Sequence, residues 1–381
     1  MDHGIEEIVA QLPTAKRVTD VWAEMERRLA DGDIAFVGDL GMAVAQRSGA
    51  GSARVWQYAS VLDTAIRLLA LGPNPHGVEQ LLRLVDGEDR SARRRARYVA
   101  SLIASAQDVQ GLLPLFRGTG PGAGASDELR ACTVHELLLR GFDLSDLPEV
   151  LAWASSPGMS QHPLAWLPLR CTEWENGAEL PSYSVHGSTA PIPFGPVAKT
   201  VRLPLRSRAV GRFTAREVTE NDRESVSAAV SNWAEESNGR VEARSFASEG
   251  PLEEPDVPAA LLGLGLDCLA GYDRRSDFTV SRVDIGQAWW VLFAAASTGG
   301  AYNHGLYGAY GRLSAWRSLG GLAGVAEGAG AEELGARVAT CSWYSFGAST
   351  PWYFQVAWDI GLAALDPDRT TLTVLAATDT D

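Results

Sequence analysis

The feature that most constrains this fold is a change in hydrophobic spacing across a Pro- and Gly-rich segment. From Thr19 to about Ser155, apolar residues recur roughly every three to four positions, as on one side of an α-helix. Beyond "LPSYSVHGSTAPIPFGPVAKT", several stretches alternate apolar and polar residues, which is typical of half-buried strands. The chain of 381 residues also exceeds what one ordinary core holds. We therefore predict domains at residues 1–170 and 201–381, joined by a linker at residues 171–200.

The N-terminal half is predicted to be all-α. In "RVWQYASVLDTAIRLLALGPNP" the residues Val55, Tyr58, Leu62 and Leu69 form one apolar stripe, which stops before Pro73. The segments "GVEQLLRLVDG", "DVQGLLPLFRG" and "DLPEVLAWASS" resemble one another, and a longer helix follows each of the first two. Such units at intervals of roughly 30 to 40 residues are typical of helical-hairpin solenoids. We expect a HEAT-like stack of antiparallel helix pairs.

The C-terminal half is predicted to be α+β, with a mostly antiparallel sheet. The stretches "VRLPLRS", "RVEARSFA", "DFTVSRVD" and "CSWYSF" alternate and are predicted strands. Helices are predicted at "TENDRESVSAAVSNWAEESNG", "PDVPAALLGLGLDCLAG" and "IGQAWWVLFAAAS". The turn "DPDRT" before "TLTVLAATDTD" indicates a hairpin. In "PWYFQVAWDIGLAAL" the residues from Trp352 to Ile360 would alternate along a strand, while a helix over residues 354–365 stays open.

Charge and cysteine usage exclude several classes of protein. The formal net charge of -14 and the pI near 5.0 repel phosphate backbones, so no nucleic-acid partner is expected. The N-terminus lacks the features of a secretory signal, and no apolar run approaches the roughly 20 residues that span a bilayer. The four cysteines are isolated in the sequence, which favours free thiols in the cytoplasm. Abundant Ala, Gly and Arg beside scarce Lys is typical of actinobacterial coding.

Catalytic and cofactor motifs are missing from the sequence. It contains no GxxxxGK[ST] loop, no GxGxxG turn after a strand, no HExxH helix and no GxSxG elbow. Of the six histidines, none lies three or four residues from another, so no helix-borne metal site is expected. We expect no cofactor and no metal. Whether the protein is an enzyme stays open, and these absences weigh against it.

One Gly- and Tyr-rich segment, "STGGAYNHGLYGAYGRLSAW", has two interpretations. A helix that started near Asn303 would offer free N–H groups to an anion, with His304 as an acid or base and tyrosines as a wall. The candidate ligand-binding residues are Tyr302, Asn303, His304, Tyr307, Arg312 and Arg317. The alternative, which we favour, is packing: Gly305, Gly308 and Gly311 leave one helix edge without side chains, so another backbone can come close.

Aromatic residues near the C-terminus form a second candidate surface. Strand alternation would send some of them outward, and Trp and Tyr are common interface anchors. The candidate interface residues are Trp343, Tyr344, Trp352 and Tyr353. Within the same run, Asp359 is expected at the sheet surface, with pairing to an arginine such as Arg312 as the alternative.

The runs "YNHGLYGAYGRLSAWRSLGGLAG", "WYSFG" and "AWDIGLAALDPDRTTLTVLAATDTD" resemble an uncharacterised actinobacterial (Streptomyces-type) family that is known only as a domain of unknown function. The resemblance implies a soluble protein with this two-part layout, and it carries over no catalytic residue. We expect a protein-interaction, scaffold or regulatory protein whose partner is another protein. The alternative is a protein or enzyme that binds an anionic or sugar-like small molecule at the segment from Tyr302 to Arg317. A homo-oligomeric subunit is a third option.

Overall fold

The contacts of the chain divide it into two compact units. The computed structural model describes residues 4–49, 55–72, 75–85, 89–117, 125–176, 179–193, 200–205, 215–218, 223–273, 277–356 and 358–380. The helical unit comprises Met1–Ala165 and Pro181–Thr189, and the α+β unit comprises Trp166–Leu180 and Ala190–Asp381. The segment predicted as a linker is thus divided between the two units, because parts of it pack within each of them.

The helical unit contains ten α-helices within the described residues. Their bounds are α1 Ile5–Gln11, α2 Thr19–Ala30, α3 Ile34–Gly49, α4 Trp56–Leu71, α5 Pro75–Val85, α6 Arg90–Ala106, α7 Val109–Leu112, α8 Asp127–Leu139, α9 Pro148–Ala154 and α10 Pro157–Ser160. Helix α4 contacts α3, α5 and α6, and α6 contacts α8. The helical prediction for this half is confirmed, with a short hairpin of strands β1 Ser182–Ser184 and β2 Gly187–Thr189 added to it.

Helix α8 lies at the centre of the helical unit. Its N-cap residue Ser126 accepts a hydrogen bond from the Leu129 backbone N–H, and every residue from Leu129 to Leu139 is buried. The imidazole of His135 is fully buried, and its Nε2 lies 3.1 Å from the Leu164 carbonyl. A helix that is buried all round has no polar face, which is why its few polar side chains must find partners inside the unit.

The hairpin is held on the helical unit by polar contacts. Arg67 donates from Nη1 to the carbonyls of Ser184 and Gly187, at 2.9 and 2.7 Å. The Tyr183 hydroxyl lies 2.9 Å from the Ser101 hydroxyl. These contacts explain why residues predicted to form part of a linker belong to a folded unit.

The α+β unit is built on a 7-stranded antiparallel sheet of order β3-β6-β7-β8-β9-β5-β4. The strands are β3 Val201–Arg202, β4 Ala215–Glu217, β5 Arg240–Ser248, β6 Phe278–Val283, β7 Ser342–Ala348, β8 Ile360–Leu365 and β9 Thr371–Thr378. The described helices are α11 Arg223–Ser227, α12 Ser231–Glu236, α13 Val257–Gly263, α14 Ile285–Thr298, α15 Tyr307–Leu322 and α16 Ala331–Thr340. The predicted α+β class is confirmed.

Helices pack against both faces of the sheet. One face presents Val280, Tyr344, Phe346 and Val374 to an apolar core that includes residues of α13. Because side chains alternate along a strand, Thr279 and Ser345 point to the opposite face. Helix α14 contacts β7 and packs extensively against α15, which contacts β9. A capping box between Asp284 and Gln287 starts α14.

Several predicted elements need correction. The strand predicted at "VRLPLRS" has only two described strand residues. The helix predicted over "TENDRESVSAAVSNWAEESNG" is two short helices, α11 and α12, separated by a turn. The helix predicted at "PDVPAALLGLGLDCLAG" ends at Gly263, and Gly265 follows with a φ of 67°.

The segment "PWYFQVAWDIGLAAL" is neither one strand nor a helix. Strand β8 begins only at Ile360, and the described residues before it form turns. The prediction of one face running from Trp352 to Ile360 was therefore wrong, as was a helix over residues 354–365. Gln355 adopts a φ of 60°, which interrupts an extended strand.

No helix among the described residues combines the length and the apolar character that a bilayer crossing requires.

Candidate functional site

The segment from Tyr302 to Arg317 is a loop followed by a helix, and the helix starts later than expected. Helix α15 begins at Tyr307, and its N-cap residue Leu306 makes no side-chain cap. Asn303 does not cap this helix. Its Oδ1 accepts from the Gly300 N–H at 2.7 Å, and its Nδ2 donates to the Asn232 carbonyl at 2.6 Å. Asn303 therefore stabilises the loop before the helix.

A buried carboxylate that the sequence analysis did not single out fixes the same loop. Asp379 is 0% exposed, and its Oδ2 accepts from the Ala301 N–H and the Ser237 hydroxyl, both at 2.7 Å. The Ser237 hydroxyl also accepts from the Tyr302 N–H at 3.2 Å. The only signal in the sequence was an acidic residue directly after a predicted strand, which does not distinguish a buried anchor from a surface group.

The predicted ligand-binding residues do not form one site. The Arg312 side chain is 0% exposed and forms an ion pair with Glu175, with 2.6 Å between Nε and Oε1. His304 and Arg317 are exposed, as is Tyr302. A fully buried guanidinium and an exposed imidazole do not line a common surface. Arg312, whose charge Glu175 already neutralises, is therefore corrected from a ligand-binding to a structural residue.

The packing interpretation of the glycines is confirmed where the structure tests it. A Cβ on Gly311 would lie 2.8 Å from the Ser297 Cβ and 2.9 Å from the Ser297 Cα. A Cβ on Gly305 would overlap the Ser297 carbonyl. Both glycines thus let the chain around α15 approach the C-terminal end of α14 more closely than any side chain would permit.

The predicted aromatic interface also needs correction. Trp343, Tyr344 and Tyr353 are 3%, 0% and 5% exposed, and only Trp352 is partly exposed. The Trp343 Nε1 donates to the Val338 carbonyl at 3.1 Å. Trp343 and Tyr344 are buried because β7 is a central strand with helices on both faces, and Tyr353, in the turn before β8, packs into the apolar core of the unit. These three side chains therefore present no surface to a partner.

A cavity of about 460 Å³, which we name the Asp359 cavity, lies in the α+β unit beside the end of β7 and the start of β8. The two strands pair from Ser342↔Leu365 to Ser345↔Leu362, so the end of β7 extends beyond this pairing. The polar lining residues are Asp277, Thr279, Ser345, Ser349, Gln355 and Asp359. The apolar lining residues are Pro193, Val291, Phe346, Tyr353, Ile360 and Leu362.

Two strand glycines shape this cavity in different ways. A Cβ on Gly361 would collide with the Phe346 backbone, so the strands approach closely there. A Cβ on Gly347 would meet nothing nearer among the described atoms than the Thr279 Oγ1, at 3.8 Å. The missing side chain of Gly347 therefore leaves open space in the cavity.

Asp359 is the carboxylate at the centre of the cavity wall. Its Oδ1 accepts from the Thr378 hydroxyl at 2.5 Å, and its Oδ2 accepts from the Gln355 N–H at 2.9 Å. Burial raises the pKa of Asp359 above its ordinary value, although these hydrogen bonds act in the opposite direction. Gln355 itself donates from Nε2 to the Ala348 carbonyl at 3.0 Å. The wall is thus a turn held by the Asp359 carboxylate.

The backbone of that turn carries local strain. Gln355 has a φ of 60°, a conformation that side chains other than glycine rarely adopt. Residues held in such regions cost about 1–3 kcal/mol each and cluster at ligand sites. Asp359 was considered in the sequence as a surface group or as a partner of Arg312. In the structure Asp359 instead accepts hydrogen bonds from Thr378 and Gln355, and Arg312 forms an ion pair with Glu175.

No group of His, Cys, Asp and Glu side chains suited to a metal ion occurs among the described residues. The fold and the cavity define a two-unit protein that combines a helical unit with a 7-stranded antiparallel α+β unit bearing a polar cavity. The chain belongs to a family of unknown function, DUF6183, which matches residues 19–381. No curated protein and no solved structure matches the chain.

Proposed function

We propose that the α+β unit binds a small polar molecule in the Asp359 cavity. The observation that carries this proposal is a concave space of about 460 Å³ that combines hydroxyl and carboxyl groups with an apolar wall. Ligand sites typically measure about 300–1,000 Å³ and place a few polar groups in a largely apolar lining. The sequence offered small-molecule binding as the alternative to a protein-interaction role, at the segment from Tyr302 to Arg317; we propose that alternative at a different site, the end of β7.

The construction of the wall supports a binding role. The turn that carries Gln355 in a strained conformation faces the cavity and is fixed by Asp359. The turn is also joined to the sheet, because Gln355 donates to the Ala348 carbonyl of β7 and Asp359 accepts from Thr378 of β9. A turn that holds polar groups in place for a ligand offers a further interaction when the ligand binds.

The test fills the cavity and compares binding. Gly347→Leu places a side chain in the open space, and Gly335→Leu adds the same side chain in α16, where a Cβ meets nothing within 4 Å. Thermal-shift screening of cationic, neutral and anionic metabolites is followed by calorimetry on the hits. We expect hits whose affinity falls at least ten-fold in Gly347→Leu and is unchanged in Gly335→Leu. Hits that bind both variants equally, or no hits in any charge class, would contradict the proposal.

A protein-interaction or scaffold role, with another protein as partner, is the second candidate, and we assign it to the helical unit. Large apolar side chains are exposed there: Trp56 is 53% exposed, and Phe142 and Leu151 are each 39% exposed. Exposed aromatic residues are frequent interface anchors. Quantitative affinity capture should recover a partner with wild type and lose it with Trp56→Ser. Light scattering on wild type and on Trp56→Ser tests for a homo-oligomer. Equal capture and an equal oligomeric state for wild type and Trp56→Ser would contradict this role.

Two finer expectations accompany these proposals. A cytoplasmic location agrees with the four free cysteines at Cys132, Cys171, Cys268 and Cys341. An actinobacterial origin is proposed from the composition, which is rich in Ala, Gly and Arg and poor in Lys.

A further inference from the structure

The charged groups that line the Asp359 cavity are all acidic. Its ionisable lining groups are the carboxyls of Asp277 and Asp359 and the phenol of Tyr353, and no Lys, Arg or His is among the described residues that line it. Like charges repel an anionic ligand, whereas a cation would be attracted. The net charge of -14 acts in the same direction over a longer range.

The carboxylate of Asp359 has polar partners that carry no positive charge. Thr378 donates a hydroxyl and Gln355 a backbone N–H, and no ion pair with Asp359 occurs among the described residues. Two other buried carboxylates of this unit are compensated: Glu175 pairs with Arg312, and Glu242 pairs with Arg244. Partial burial of a charge without a counter-charge is unfavourable, and a bound cation would relieve that cost.

Asp379 shows that the absence of a counter-charge does not by itself identify a cation-binding site. Asp379 also lacks an arginine partner among the described residues, and its oxygens accept from Ala301, Ser237 and Thr380. It does not line the cavity. The distinguishing property of Asp359 is that its uncompensated carboxylate borders open space large enough for a molecule.

We propose that the ligand of the Asp359 cavity is an organic cation with a primary ammonium or guanidinium group, which forms an ion pair with Asp359. The hydroxyl groups of Thr279, Ser345 and Ser349 contact the polar body of the ligand, and the side chains of Val291 and Ile360 contact its apolar part. A cavity of about 460 Å³ exceeds what a lone metal ion or ammonium ion fills. This inference rests on the proposed function of the cavity.

The experiment uses three probes of equal chain length and different charge: 1,5-diaminopentane, 1,5-pentanediol and glutarate. Each is titrated at low ionic strength into the full chain, and binding is measured by calorimetry and by NMR chemical shifts. The variants are Asp359→Asn, Asp277→Asn and, as a matched control, Asp368→Asn in the exposed β8–β9 turn. Because Asp359 also holds the turn, Asp277→Asn tests a second carboxyl of the lining; the hydrogen bond that the Ser349 N–H donates to Asp277 goes to the backbone carbonyl, which the substitution leaves in place.

We expect the diamine to bind, with an affinity that falls at least ten-fold in Asp359→Asn and measurably in Asp277→Asn, and is unchanged in Asp368→Asn. If the diol or glutarate binds as tightly as the diamine and Gly347→Leu abolishes that binding, the cavity is a ligand site and the cation inference falls. The same inference falls if the diamine binds Asp359→Asn and Asp368→Asn equally. If none of the probes binds, or if Gly347→Leu leaves every affinity unchanged, both proposals fall.

Discussion

Arg312 and Glu175 form an ion pair in which both side chains are fully buried. Arg312 donates from Nε to Oε1 at 2.6 Å and from Nη2 to Oε2 at 3.0 Å, which is the bidentate geometry of a guanidinium on a carboxylate. The Trp316 Nε1 donates to the same Oε1 at 2.8 Å, and the Thr172 N–H donates to Oε2 at 2.8 Å. The pair therefore connects the segment around Glu175 to helix α15.

Removal of one partner of this pair should be strongly destabilising. Arg312→Met leaves the Glu175 charge buried without a counter-charge, and breaking such a pair costs about 3–5 kcal/mol. Arg317→Met is the matched control, because Arg317 lies on the same helix and is exposed. An exposed substitution typically changes stability by less than about 0.5 kcal/mol. Urea unfolding followed by tryptophan fluorescence measures the unfolding free energy of each variant. An equal loss of stability in Arg312→Met and Arg317→Met would contradict the destabilising effect of an unpaired Glu175.

Alanine at two helix glycines should have opposite effects. Gly311→Ala improves helix propensity but places a Cβ 2.8–3.0 Å from Ser297 atoms, so we expect a loss of about 1–3 kcal/mol from overpacking. At Gly335 a Cβ meets nothing within 4 Å, and Gly335→Ala should stabilise by about 0.5–1 kcal/mol. Thermal and chemical unfolding give the sign of each change. Stabilisation by both substitutions would contradict the close approach of α14 and α15.

Asp359 should make the free energy of unfolding depend on pH in the opposite sense to a salt-bridged carboxylate. Its folded-state pKa is raised above the ordinary value of 3.8, because burial disfavours the charged form. Between the two pKa values the folded state binds more protons than the unfolded state, so this contribution to stability is lost as pH rises through that window. Above the folded-state pKa, the unfolding free energy remains lowered by the full cost of burying the charged Asp359 carboxylate.

The comparison of Asp359→Asn with wild type isolates this contribution. The variant should lose the decrease of unfolding free energy above pH 3.8, whereas Asp368→Asn, in the exposed turn, should retain the wild-type dependence. Unfolding free energies measured across the acidic range provide the slopes. Parallel curves for wild type and Asp359→Asn would mean that Asp359 titrates alike in both states.

The cysteines should react slowly in the folded protein. Burial raises the pKa of Cys171 and of Cys341 to about 11, and it also raises the pKa values of the fully buried Cys132 and Cys268 above the ordinary thiol value. Because the thiolate is the nucleophile, a pKa of about 11 leaves about one thiol in a thousand reactive at pH 8. Labelling with a disulfide reagent should be slow in native protein, begin at Cys171 and Cys341, and reach all four in denaturant. A thiol that reacts in native protein as fast as glutathione would contradict this burial.

Periodicity in the sequence was sufficient to identify most regular elements. The strand predictions at "RVEARSFA", "DFTVSRVD" and "CSWYSF" and the helix at "IGQAWWVLFAAAS" are confirmed by β5, β6, β7 and α14. Local signals sufficed for the strands because apolar and polar residues alternate along their sequences, and for the helix because it is a long apolar run that follows a capping residue. The close packing at Gly305 and Gly311 could also be predicted from the absence of their side chains, although Gly305 lies in the loop before α15 and only Gly311 lies on the helix.

The candidate site could not be predicted from periodicity. The residues of the Asp359 cavity come from β6, β7, α14 and the turn before β8, which are far apart in sequence. Even the residues that attracted attention were assigned the wrong partners: Arg312 as a ligand group, Asp359 as a surface group or a partner of Arg312. A charged side chain carries no local signal of whether its partner is solvent, a ligand or a residue 137 positions away, as Glu175 is from Arg312.

The sequence by itself thus determined the class of the two halves and the type of most elements, because local periodicity reports which side of an element is buried. Only the tertiary structure decided which polar groups meet. Strand order and helix packing bring Arg312 to Glu175, bring the loop of Asn303 against Asp379, and place the Asp359 cavity beside the end of β7. These outcomes depend on distances between segments that are remote along the chain, and hydrophobic spacing within a segment contains no information about such distances.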